Sequence, residues 1–484
     1  MLTPLAHSTT IKRNGKREKA SEIMKYHIWT FGCQMNTADT QLLASELERM
    51  GHSAAEHEDD ADIYVVNTCV VRQAAEDKGM GRINMLKKVK RDYPEKVVGV
   101  MGCMVGVKDP LYLRKKLPWV DVFLSPSEPA PMVNFLKDRG WESEVIQADT
   151  AIRLKRDAIQ DGDLILPIQE YGSLISAHVP VVYGCSHACS FCIIPNRRGI
   201  ERSRSVGEIV AHVRSLAVQG VKEVTLLGQI VDRYGKDIPD GPDLADLLRV
   251  IHATAEEYGI ERIRFLTSHP NWMTPKLLDT VAELPRIMPQ IEVPIQAGSD
   301  TVLERMKRGY TQQQYRDLVA DIRARIPNVA IHTDIIVGFC GETEDDFMES
   351  YRVLEELKLD KVHLARYSPR PNTVSERRMD DDVPEDEKVR RHRTIDDLQI
   401  RIQDEINAQW LGQTVQILVE ENHKGKWRGR TPQNKLVFFE DEGDWKGKLV
   451  ELEVIYTSPF SMQGRIPGSQ SQPNLAEPLL VFAD

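Results

Sequence analysis

Apolar residues in this chain fall in short runs, and between the runs they recur at helical spacing. Runs at Tyr26–Phe31, Ile63–Val66 and Val97–Met101 are separated by stretches that read as helices, one from about Asp39 to Met50 and one through Met85–Val89. Alternation of that kind predicts parallel strands with crossover helices. Gly51 stands where a left-handed helix cap is needed. The rhythm breaks over about 147–162, a polar stretch without a period that reads as a linker. It resumes with strands expected at 177–183, 222–227, 262–266, 290–294, 330–337 and 361–366. Six such units predict an incomplete (β/α)6 relative of the eight-stranded barrel. Its first helix is marked by the capping-box pair Ser205 and Glu208, by Ile209, Val213 and Leu216 on one face, and by Gly220 at the end.

After a charged helix from about Pro384 to Gln409, the period changes to short strands at Thr414–Val419, Leu436–Phe439 and Leu449–Tyr456. These predict a small antiparallel β-barrel. The expected fold class is α/β: a parallel α/β sheet domain at 25–150, a (β/α)6 barrel with a trailing helix at 170–409, and the small barrel at 410–473. Residues 1–24 and 474–484 read as disordered tails. Glu18 and Glu22 speak against a transit peptide in the first of these, and Met24 is an alternative start.

Composition narrows the function. At 484 residues, about three domains are expected. No apolar run reaches about eighteen residues, so no membrane span is expected. Seven cysteines without a secretory hydrophobic core suit reduced thiols in the cytoplasm rather than a disulfide framework. A net charge of −10 gives no overall attraction for nucleic acid, so RNA contacts must come from local basic patches.

The chemistry concentrates in Tyr183–Ile193, where Cys185, Cys189 and Cys192 lie close enough for one loop to wrap a single inorganic centre. A four-iron cluster takes four thiolates, so three leave one iron open to a small molecule. Zinc is the alternative, with His187 as a fourth ligand. In the first domain, Cys33, Cys69 and Cys103 each fall just past a strand's C-terminal end, about one β-α-β repeat apart. Carboxyl-end loops form the ligand crevice of open α/β sheets, so these thiols are expected to converge on a second cluster.

The Cys185–Cys192 pattern resembles the signature of radical S-adenosylmethionine (SAM) enzymes. Gly32-Cys33-Gln34-Met35-Asn36, Asn67-Thr68-Cys69-Val70-Val71-Arg72 and Gly102-Cys103-Met104 resemble the N-terminal motifs of the methylthiotransferases. Leu227-Gly228-Gln229, Thr267-Ser268-His269-Pro270, Gln296-Ala297-Gly298-Ser299 and Val337-Gly338-Phe339-Cys340-Gly341 resemble that family's core. Cys340 and Ala297 depart from its usual Pro and Ser, and Cys340 is read as a small residue in a tight turn. The form Gly-Cys-Gln-Met-Asn is similar to the branch that acts on isopentenylated adenosine in tRNA.

The resemblance implies two 4Fe-4S clusters, one bound to SAM, held by Cys185, Cys189 and Cys192 and by Cys33, Cys69 and Cys103. It places Gly228, Gln229, Gln296 and Ser299 beside SAM, with Phe191 against its adenine. It implies methylthio transfer to C2 of N6-(dimethylallyl)adenosine next to the anticodon, through a SAM-derived radical, a second SAM as methyl donor and sulfur delivered at the auxiliary cluster. An electron donor such as flavodoxin or ferredoxin and a monomeric state are expected with it. Arg197 and Arg198, with Arg202 and Arg204, stand as either a phosphate-binding cluster or a salt-bridged face. In the small barrel, the segment with Lys424, Lys426, Trp427, Arg428, Arg430 and Lys435 resembles the tRNA-binding TRAM domain. Two rivals are carried: the same chemistry on threonylcarbamoyl-adenosine or a ribosomal-protein aspartate, and a non-catalytic iron–sulfur RNA-binding redox sensor.

Overall fold

The computed structural model describes residues 23–108, 110–141 and 164–468. The linker expected at 147–162 and the end at 474–484 lie outside the described residues, as does all but the last part of the tail expected at 1–24. Among the described residues no helix is long and apolar enough to cross a membrane.

The N-terminal domain is a five-stranded parallel sheet built from β1 (Lys25–Thr30), β2 (Ser53–Ala54), β3 (Ile63–Thr68), β4 (Val97–Gly102) and β5 (Val122–Leu124). Every residue of β3 and β4 is buried, which explains their unbroken apolar runs: helices cover both faces of a parallel sheet. One face packs on a cluster around Leu43, Leu47 and Met132, the other on one around Ile83, Leu86 and Phe123.

The helix expected from Asp39 starts earlier, spanning Gln34–Arg49 with Cys33 in the extended cap position. In its first turn Gln34 and Thr37 are exposed while Met35 and the polar Asn36 are buried, so the apolar period is weak where the helix begins. The helix expected through Met85–Val89 runs over Gln73–Asp92.

The central domain holds β6 (Ser176–Pro180), β9 (Glu223–Leu227) and β10 (Arg262–Leu266) in one parallel sheet and β11 (Gln290–Glu292), β12 (Ala330–Val337) and β13 (Lys361–Arg366) in a second. A parallel bridge between Ile263 and Ile287, and a hydrogen bond from the Ser268 amide to the Glu292 carbonyl, join the two into one six-stranded open barrel. The single strand expected at 177–183 is split: after β6 the chain turns into β7 (Val182–Tyr183), which pairs antiparallel with β8 (Arg202–Ser203). The capping box of Ser205 and Glu208 is present at the helix Val206–Val218.

The C-terminal domain is a closed barrel of β14 (Thr414–His423), β15 (Lys426–Arg430), β16 (Leu436–Phe439), β17 (Leu449–Thr457) and β18 (Met462–Arg465). It closes the floor of the larger barrel, at the strands' N-terminal ends. Arg264 there donates to the carbonyls of Thr431 (3.0 Å) and Pro432 (2.8 Å) while pairing with Glu223 at 3.1 Å. Arg262 reaches the Arg430 carbonyl at 2.5 Å. Guanidinium forks thus satisfy the backbone of the small barrel's 430–432 turn where two domains exclude water.

Candidate active site

The N-terminal sheet has the order β2-β1-β3-β4-β5, so its winding reverses between β1 and β3. That switch point, beyond the strands' carboxyl ends, is where open α/β sheets form their ligand crevice. Cys33 follows β1, Cys69 follows β3 and Cys103 follows β4. Thr68 pairs with Gly102, so Cys69 and Cys103 leave neighbouring strands at the same level.

Burial pushes the Cys103 thiol up to about 11, with Cys69 and Cys33 adding to it, and burial followed by Cys33 raises Cys69. The three thiols therefore share one field. Room beside them depends on glycine: Gly32 has φ +129°, and a Cβ there would come within 2.7 Å of the Cys69 Cβ. At Gly102 (φ +96°) a Cβ would collide with Asn67 and Thr68. Buried Asn36 ties the loops together, donating to the carbonyls of Phe31 (3.1 Å) and Thr68 (2.9 Å) and to Asn67 Oδ1 (3.1 Å).

The second trio lies on the loop after β7. The Ser190 hydroxyl donates to the Arg305 carbonyl at 2.8 Å, and its amide to the Met306 carbonyl at 3.1 Å. Arg308, on the same turn, points a buried guanidinium nitrogen at the Cys189 Sγ, 3.1 Å away. Burial and Arg308 lower the His187 ring to about 4, so the imidazole beside Cys189 is neutral. Burial drives Cys192 up to about 12, with Cys189 and Cys185 adding. A guanidinium aimed at the thiols supplies the opposite charge that deprotonated ligands need.

Among the described residues, a further group of possible metal ligands lies within 4.8 Å: Glu292, His332 and His363, inside the barrel. Within the Glu292 group, the Gln290 amide nitrogen lies 3.3 Å from His332 Nδ1 while its oxygen accepts from Arg264 at 2.9 Å. The amide therefore donates to His332, whose other nitrogen carries the proton. Burial and then Asp334 raise Glu292 to about 7, so this chamber is polar but weakly charged.

The two trios meet through the segment that follows Cys192. Ile193 packs into the N-terminal core. The helix Ile194–Arg198, a rise of about 8 Å, then places Arg197 on the Met104 carbonyl (3.4 Å) and Arg198 on Asn36 Oδ1 (3.1 Å) and Asp39 (3.0 Å). Arg198 also hydrogen-bonds Cys103. One short helix thus runs from the barrel's cysteines to those of the sheet.

Residues 25–125 match an uncharacterised family, UPF0004; 179–354 match the radical SAM superfamily; and 409–466 match the TRAM domain. The chain is 46% identical over 453 residues to the tRNA-2-methylthio-N(6)-dimethylallyladenosine synthase of Roseiflexus sp. (strain RS-1), covering 93% of this chain and 90% of that one. The chain belongs to this synthase family. It is 45% identical to the synthase of Chloroflexus aurantiacus, with 93% and 92% covered, and 41% identical to that of Dehalococcoides mccartyi (strain CBDB1), with 91% and 98% covered. In fold it is similar to the radical SAM methyltransferase TsrM of Kitasatospora setae, with a TM-score of 0.52 at 14% identity over 71% of this chain and 73% of that one.

As a member of this synthase family, the chain places the remaining expected residues unevenly. Gly228 and Gln229 follow β9 on the barrel's rim, where a Cβ at Gly228 would sit 2.9 Å from the Val231 Cα. Gln296 holds φ +73°, a strained setting for a residue other than glycine, on the loop after β11. Half-buried Phe191 lies edge-on to Phe339, 6.3 Å between centroids. Ser299 is buried, and its hydroxyl donates to the Asp346 carboxylate at 2.5 Å, so that hydroxyl is committed within the protein.

The basic residues change most. Arg198 is not a phosphate ligand, because its side chain is 2% exposed and paired with Asp39. Arg197 rests on the Cys103 loop, and Arg204 serves the Pro180 carbonyl at 2.8 Å. In the small barrel the basic segment is strand β15 and its following turn, and strand pairing brings acids to it. Lys426 pairs with Glu440 (3.1 Å), Arg428 with Glu421, Arg430 with Glu420 (3.2 Å) and Lys435 with Asp360 (2.8 Å). Trp427 is partly buried against the barrel core and donates to the Asp441 carbonyl at 3.1 Å. Lys424, exposed at the β14–β15 tip, has no ion-pair partner among the described residues. Reading the sequence missed Asn36, Asp39 and Arg308; only position beside the cysteine motifs marked the first two.

Proposed function

We propose that this chain is a tRNA-modifying radical SAM enzyme that transfers a methylthio group to C2 of N6-(dimethylallyl)adenosine beside the anticodon. The observation that carries this is the helix Ile194–Arg198, which begins at one cysteine trio and ends on the other. Cys185, Cys189 and Cys192 would hold the SAM-binding 4Fe-4S cluster, and Cys33, Cys69 and Cys103 the auxiliary one. When bound, these groups and SAM supply the radical that removes an unreactive aromatic hydrogen, together with the sulfur and methyl that replace it.

The protein's part is placement. Ser190 and Arg308 hold the first loop on the rim, Asn36 binds the sheet's loops into one unit, and buried Gln296 hydrogen-bonds Asp334. Glu292, His332 and His363, grouped inside the barrel, would offer donors and acceptors to an extruded base. Electrons would come from a small donor such as flavodoxin or ferredoxin, and the enzyme would act as a cytoplasmic monomer. RNA contact would fall to Lys424 and the exposed Arg202.

The reading is tested by expressing the chain in a bacterium deleted for its own synthase and analysing tRNA nucleosides by mass spectrometry. The methylthio isopentenyl nucleoside should reappear. Continued accumulation of the unthiolated nucleoside, or methylthiolation of threonylcarbamoyl-adenosine instead, would contradict it.

A further inference from the structure

Arg198 belongs by sequence to the barrel and by contact to the sheet domain's thiols. Its guanidinium interacts with Asp39, Cys103 and Cys33, and donates to Asn36 Oδ1 at 3.1 Å. The nitrogen Nε is buried and has no hydrogen-bond partner among the described residues. An acceptor such as a cluster sulfur beside the thiols would satisfy that donor. Asp39, equally buried, is fixed from its far side by Ser127 at 2.6 Å. Two opposite charges are thus locked in order, the cation nearer the thiols and the anion behind it.

We infer that Arg198 is a positioning residue which, from the radical SAM domain, raises the reduction potential of the iron–sulfur group held by Cys33, Cys69 and Cys103, with Asp39 as the counterweight. This rests on the proposed cluster assignment. Reduction adds a negative charge, so a cation with a free donor beside the cluster favours the reduced state, and a nearby anion opposes it.

The test uses the full chain carrying Cys185→Ala, Cys189→Ala and Cys192→Ala, so that one cluster remains, and reads its midpoint potential by redox titration followed by electron paramagnetic resonance. Arg198→Gln should lower the midpoint, Asp39→Asn should raise it, and Arg198→Lys should return it most of the way to the parent. The Arg198→Gln shift should be the smaller of the first two, since an unpartnered buried Asp39 takes up a proton. Shifts of the same sign in Arg198→Gln and Asp39→Asn, or unchanged midpoints at full iron content, would overturn the inference and leave Arg198 a domain tie. A parent chain that binds no iron would instead overturn the cluster assignment beneath it.

Discussion

The Lys435 ammonium lies 2.8 Å from the Asp360 carboxylate, with the two side chains only 11% and 12% exposed, and so pins the small barrel to the start of β13. A buried pair broken on one side leaves an uncompensated charge costing about 3–5 kcal/mol. Lys435→Ala should therefore loosen the domain. Limited proteolysis should cut between the barrels sooner, while the salt dependence of tRNA binding keeps its slope. A flatter slope with unchanged proteolysis would mean that Lys435 contacts phosphate after all.

Asp232 accepts the His269 amide through both oxygens, at 3.1 and 3.0 Å, and burial raises its carboxyl to about 8. In the unfolded chain it titrates near 3.9. Between about pH 4 and 8 the folded protein then holds a proton that the unfolded chain has released, so stability falls as pH rises through that window. Asp232→Asn should flatten the fall. Urea midpoints at pH 5 and 7.5 read it, and equal pH dependence in the two proteins would refute the assignment.

Cys340 sits between Gly338 (φ +72°) and Gly341 (φ +73°), 4% exposed and packed into the barrel core. Burial raises its thiol, with Asp381 and Asp382 contributing. Cys340→Ala should cost about 1 kcal/mol of stability and leave the iron content unchanged; loss of iron would make it a ligand.

What could be read from residues alone follows from what each signal depends on. The alternation of strand and helix is local, so β1, β3, β4 and the six barrel strands were legible, and with them the placement of Cys33, Cys69 and Cys103 at strand ends. Charge pairing across strands is not local. The run from Lys424 to Lys435 has no acid within it, yet Glu420, Glu421, Glu440 and Asp360 meet it in space. The same limit hid Arg198, whose partner Asp39 lies in another domain, and Arg308, whose thiol partner is 119 positions away. The early start of the helix Gln34–Arg49 was missed because its first turn holds a single apolar residue, Met35, beside the buried Asn36, which serves the site rather than the core.

The central claim is that two separate iron–sulfur centres face one another across the helix Ile194–Arg198. Iron counting after anaerobic reconstitution tests it most directly. About eight irons per chain are expected, falling to about four when Cys185, Cys189 and Cys192 become alanine, and likewise to about four when Cys33, Cys69 and Cys103 do. A wild-type value near four, or complete loss of iron from either triple substitution, would contradict the account.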